Sequence, residues 1–169
     1  MKNLIPVIAL CLVALACGRF QNTANTPNSA NANSESKAII RKVADIPALY
    51  GKSKDEVIKM VTEGKKKNDF SDWVDFEFPQ GTLQVNFTKD KADTFKFTLP
   101  LYQGDFLVDT QENLGILTGI PLASKTPDTS LDGFISFEKE KMGGSSVHIV
   151  LDKKPGSDKF YSLSVRKAN

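Results

Sequence analysis

The chain has 169 residues, 40% hydrophobic and 25% charged, with 22 Lys+Arg against 20 Asp+Glu. That is enough apolar material for one globular domain. The near-neutral balance argues against nucleic acid as a partner and gives no strong pull toward anionic lipid.

The chain opens on a targeting pattern. Lys2 supplies a positive start, and Leu4 to Ala16 carry no charge, with only Pro6 interrupting the run. Such a run is a secretory h-region and is too short for a membrane-spanning helix, which needs about 20 apolar residues. Val13-Ala14-Leu15-Ala16-Cys17 resembles the bacterial lipobox, with Ala14 and Leu15 in the reverse of the usual order. The resemblance implies a lipoprotein signal peptide over 1–16, removed before Cys17, and fatty-acyl chains such as palmitate on Cys17. Each buried CH₂ contributes about 0.8 kcal/mol, so two or three chains anchor the product to a membrane. An ordinary secretory signal and an uncleaved anchor are the alternatives. Gly18 and Arg19 follow Cys17, not the Asp that retains enterobacterial lipoproteins in the inner membrane, so the resemblance implies an outer-membrane, periplasm-facing or surface location. With Cys11 lost and Cys17 acylated, the domain has no thiol and must be stable through its core alone.

Residues 17–36 read as a tether. Asn recurs at 22, 25, 28 and 31, and little larger than Ala offsets the entropy of ordering the segment. About 19 residues of coil reach roughly 25 Å.

An α+β domain follows, expected as two tandem units, 37–104 and 105–169. In the first, Ile39, Ile40 and Val43 suit a short helix ended by Pro47. Ser53-Lys54-Asp55-Glu56 is a capping box opening a helix with Val57, Ile58, Met60 and Val61 on one stripe, closed by Gly64. Three alternating runs predict strands: Val74/Phe76/Phe78, Leu83/Val85/Phe87 and Phe95/Phe97/Leu99. Pro79-Gln80-Gly81 and Lys89 to Asp93 supply the turns.

The second unit repeats the pattern. Asp109-Thr110-Gln111-Glu112 has capping-box form, Leu114, Ile116, Leu117 and Ile120 make a stripe, and Gly119 and Pro121 stop it. After a loop over 123–132 come three more strands, on Phe134/Ile135/Phe137, Val147/Ile149/Leu151 and Tyr161/Leu163/Val165. Ser53 matches Asp109, Ile58 matches Leu114, Phe76 matches Ile135, Val85 matches Ile149 and Phe97 matches Leu163, with an offset that widens along the chain. Each unit is thus a helix plus a three-stranded antiparallel sheet. A half of this size is marginal alone, so the two should share a core or a sheet.

Gly51-Lys52-Ser53-Lys54-Asp55-Glu56-Val57 before an antiparallel sheet resembles the small outer-membrane-assembly lipoproteins, and the tandem arrangement resembles the β-lactamase-inhibitor-protein fold. Leu117-Thr118-Gly119-Ile120-Pro121 approaches the Leu-Gly-x-Pro of those families, whereas Val61-Thr62-Glu63-Gly64-Lys65 departs from it. The resemblance implies a protein-binding or scaffolding role and no catalytic residues.

The residues themselves offer little chemistry. His148 is the sole histidine, so no metal site or cofactor is expected. Ser145, Ser146 and His148 lack an orienting acid, and Asp72, Asp75 and Glu77 suit the solvated side of a strand. Lys65-Lys66-Lys67 reads as a soluble run after a helix, with phosphate or headgroup binding as the sharper alternative. Gly143-Gly144 reads as a turn. Trp73 shares its parity with Asp75 and Glu77, so it is a candidate partner anchor or a strand cap packed with Phe70. Tyr102 and Phe106 are candidates of the same kind. The expected function is a lipid-anchored, non-enzymatic envelope protein that binds another envelope protein through an open sheet face or the groove between the halves. A small-ligand or lipid carrier is the alternative, and a hydrolase ranks last.

Overall fold

The computed structural model describes residues 40–100 and 108–168. Cys17, the tether, Tyr102 and Phe106 lie outside the described residues. In chain order the elements are α1 (Ile46–Leu49), α2 (Lys54–Met60), β1 (Lys65–Asp69), β2 (Trp73–Phe78), β3 (Gly81–Thr88), β4 (Lys91–Thr98), α3 (Gln111–Thr118), β5 (Thr129–Ser130), β6 (Phe134–Met142), β7 (Ser145–Lys153) and β8 (Phe160–Lys167).

The helix starts follow capping chemistry. Ser53 Oγ accepts from Glu56 N–H, and the Glu56 carboxylate accepts from Ser53 N–H at 2.8 Å, so the capping box of α2 forms as expected. The first helix is a correction. Residues 40–45 are not helical, and α1 begins at Ile46 with Asp45 as N-cap and Pro47 in its first turn. A proline there loses nothing, because its missing N–H would be unpaired anyway, so Pro47 helps start this helix where it was expected to end one. The second capping box is also corrected. The N-cap of α3 is Thr110, whose side chain accepts from Asn113 N–H, so Asp109 and Glu112 do not form the box. Gly119 stops α3 as expected, in the left-handed region at φ 73°.

Gly64 does not close α2, which ends at Met60 with Val61 as its cap. Gly64 instead sits where a Cβ would lie 2.6 Å from Phe78 Cζ, so any larger residue there would have to displace the Phe78 ring. The following Lys65-Lys66-Lys67 is not a loop but the start of β1, an edge strand. Its composition hides a strand because it lacks apolar alternation. Lysines on an edge strand also discourage pairing with another chain.

All eight strands join one antiparallel sheet in the order β1-β2-β3-β4-β8-β7-β6-β5. The six expected strands are present, and β1 and β5 extend them at the two edges. The α+β class stands, with a single antiparallel sheet and a few short helices. At the middle of the sheet β4 pairs with β8, Phe95 with Val165 and Phe97 with Leu163. The turn between β3 and β4 is tighter than expected. Only Lys89 and Asp90 form it, both at positive φ, as a two-residue hairpin turn requires.

One face of the sheet is the core. Phe76, Leu83, Phe95, Phe97, Phe137, Ile149, Leu151 and Leu163 are fully buried there. Ile46 and Leu49 of α1, Val57 of α2 and Leu114 and Leu117 of α3 join the same apolar cluster. Burying such a side chain stabilises by about 1.5–3 kcal/mol, which is how short helices can hold a wide sheet. Leu117 C=O accepts from both Val43 and Ala44 N–H, tying the segment before α1 to the end of α3.

Candidate functional site

Side chains alternate across a strand, so burying one face leaves the other to polar residues. The registers lay them out in rows. One row crosses the sheet as Asn68, Asp75, Gln84, Lys96, Ser164, Val150, Ser136 and Thr129. A second runs Glu77, Thr82, Thr98, Ser162, Asp152 and Phe134. Apart from Ser136 and Ser162, these side chains are half-buried or exposed. The hydroxyl of Ser162 donates to Asp152 Oδ2. Asp75 is unusual. Its Oδ2 accepts from Asn68 Nδ2 at 2.9 Å, while its Oδ1 is buried with no partner. An unmatched buried acceptor costs about 1–3 kcal/mol, and an incoming donor would recover that.

Trp73 stands at the rim of this face, half-buried at the start of β2. It stacks on Phe70, with ring centroids 4.4 Å apart and planes 24° apart. Phe70 remains 52% exposed. The stack follows from the turn between β1 and β2, where Phe70 N–H donates to Trp73 C=O at 2.9 Å and brings both rings to one side. The first residue of α2 braces this turn. Lys54 Nζ donates to Phe70 C=O and lies 2.5 Å from Asp69 Oδ1, and Lys66 Nζ lies 2.6 Å from Asp69 Oδ2. The bonds from Lys54 and then Lys66 hold the Asp69 carboxyl below its usual range. The Asp72 C=O accepts from Phe87 N–H, while Glu77 pairs with Lys67 at 3.6 Å.

The other candidates separate. Ser146 accepts from Lys141 Nζ at 2.9 Å, and His148 faces Arg166, so serine and histidine do not meet as nucleophile and base. Among the described residues no three His, Cys, Asp or Glu side chains converge as a metal would need. A groove of about 830 Å³ lies at the strand ends beside Phe78 and Leu99, open to solvent and rimmed by Glu63, Lys65 and Glu77. The packing of Trp73 on Phe70 is the one the sequence suggested, whereas the unmatched Asp75 oxygen and the Arg166–His148 contact depend on register and turn geometry. No family model matches the chain, and no curated protein and no solved structure is significantly similar to it.

Proposed function

We propose that this chain is a lipid-anchored, non-enzymatic protein of the cell envelope that binds another envelope protein through the polar face of its sheet. The Phe70–Trp73 stack carries the reading. It is a rigid, partly exposed aromatic pair at the rim of a face that also holds an unmatched carboxylate oxygen at Asp75. Interfaces concentrate their energy in such aromatic anchors surrounded by polar groups. Cys17 supplies the membrane attachment through its acyl chains, with the outer membrane as destination, and the Asn-rich tether supplies reach. The palindromic strand order suits two tandem units derived from one ancestral half, which would leave the polar face continuous across both. A carrier for an apolar ligand fits less well, since the groove beside Phe78 is open and rimmed by charge.

Two measurements test this. Cells expressing the protein or Cys17→Ala are fractionated after labelling with a fatty acid. The reading expects label and membrane residence in the first and neither in the second; a labelled, membrane-bound Cys17→Ala protein contradicts it. Affinity capture from solubilised envelopes then compares the protein with Trp73→Ala. One envelope partner should be retained at least tenfold less by the variant, and equal retention by both contradicts the role of the polar face.

A further inference from the structure

The pairing of β6 with β7 breaks at one point. Phe137 pairs with Ile149, but the next pair is Glu140 with Val147, so Glu138 and Lys139 together face His148. This is a bulge, and bulges re-aim side chains. Lys139 holds it with φ 57°, a left-handed conformation that a lysine adopts only at a cost. From the other side, β8 places Arg166 opposite His148, with its Nη2 3.2 Å from His148 Nδ1. A guanidinium can only donate, so Nδ1 is the acceptor and the neutral ring carries its proton on Nε2. That Nε2 is buried with no partner. Lys139, His148, Arg166 and Lys167, with Glu138 and Ala168, line an open cleft of about 350 Å³. Three cations thus face one carboxylate. None of these four charged side chains enters an ion pair among the described residues. Asp128 on the neighbouring loop reaches the bulge, its Oδ2 accepting from Glu138 N–H at 2.6 Å, but it does not line the cleft.

We propose that this cleft is an oxyanion site that takes a phosphate group, free or at the head of an anionic lipid. Unpaired Arg and Lys donors with net positive charge are the chemistry that binds phosphate, and arginine can do so with two parallel bonds. The strained bulge brings Lys139 to the same cleft. This site does not depend on the partner-binding reading, since it requires no protein partner.

His148 is the chain's only histidine, so its ring gives a single NMR reporter inside the cleft. The full-length chain in maltoside micelles, labelled at histidine, is titrated with inorganic phosphate at constant ionic strength and pH, with chloride as control. A saturable shift of the His148 ring is expected, weakened at least tenfold in Arg166→Gln and in Lys139→Gln. Both positions are exposed, and unchanged Trp73 fluorescence verifies the fold. A parallel series places the chain in lipid discs of phosphatidylcholine with and without phosphatidylglycerol. A shift that needs phosphatidylglycerol, does not arise with inorganic phosphate and is lost in Arg166→Gln assigns the anion to a lipid headgroup. Absence of a saturable response to either source overturns the proposal, as does a response that both variants retain.

Discussion

Phe97→Ala probes the seam on which the single sheet depends. Phe97 is fully buried on β4, between Leu83 of β3 and Leu163 of β8, with its ring 6.5 Å from that of Phe78. Removing a buried phenyl ring costs about 3–5 kcal/mol through lost transfer energy and the cavity left behind. With a urea dependence of about 2 kcal/mol per molar, the unfolding midpoint should fall by about 1.5–2.5 M. Two native reporters stand on opposite sides of the seam. Trp73, the only tryptophan, is on β2, and His148, the only histidine, is on β7. Fluorescence of the first and ring NMR of the second should move together, because one core and one sheet unfold as one unit. If the full substitution leaves too little stability to measure, Phe97→Leu should give the same coincidence at a smaller shift. A Trp73 transition that falls while the His148 transition stays in place would refute the single cooperative sheet. Gln84→Ala, on the polar face, serves as the control and should change stability by no more than about 0.5 kcal/mol.

Ser53→Ala removes the side chain that caps α2 and should cost about 1 kcal/mol by denaturant unfolding; no loss would mean that the cap contributes nothing in context. Two carboxyls make stability depend on pH. Glu56 is held below its ordinary range by the Ser53 N–H, then the Ser53 hydroxyl, with smaller help from Lys52 and Lys91, and Asp69 is held down by Lys54 and Lys66. A lowered folded pKa contributes stability above the unfolded value and loses it as pH falls through the folded one. The urea midpoint should therefore drop from about pH 5 downward, with a flatter slope in Glu56→Gln and Asp69→Asn; an unchanged slope in both contradicts the assignment. Lys139→Gly relieves the left-handed lysine and should raise stability by about 1 kcal/mol, whereas a loss would show that Lys139 packing outweighs its strain.

Strong alternation made most of the sheet legible. Val74, Phe76 and Phe78 or Val147, Ile149 and Leu151 announce strands because each apolar residue points to one face and each polar neighbour to the other. The edges were not legible for the same reason. Lys65 to Asp69 has no apolar side chain to bury, and Thr129–Ser130 is too short to show a period. Pro47 misled because proline blocks a helix interior yet suits its first turn, and only the Asp45 cap decides between the two. The Asp109 capping form failed by one position, since Thr110 beside it competes for the same role. For the site, the polar parity of Trp73 could be read directly. Its packing on Phe70, three residues away across one turn, could be read too, but the Lys54 brace and the Arg166–His148 contact needed tertiary placement, because each joins residues from different elements.

The most direct test of the account uses the protein inside the cell. A photo-crosslinking residue replaces Gln84, at the middle of the polar face, or Ile116, which is 42% exposed on α3 on the helix side of the sheet. Cells are irradiated and the adducts resolved. The account predicts one discrete protein adduct from position 84, reduced at least tenfold when Trp73→Ala is added, and none from position 116. Adducts of equal yield from both positions, or an adduct at position 84 indifferent to Trp73, would contradict binding through the polar face.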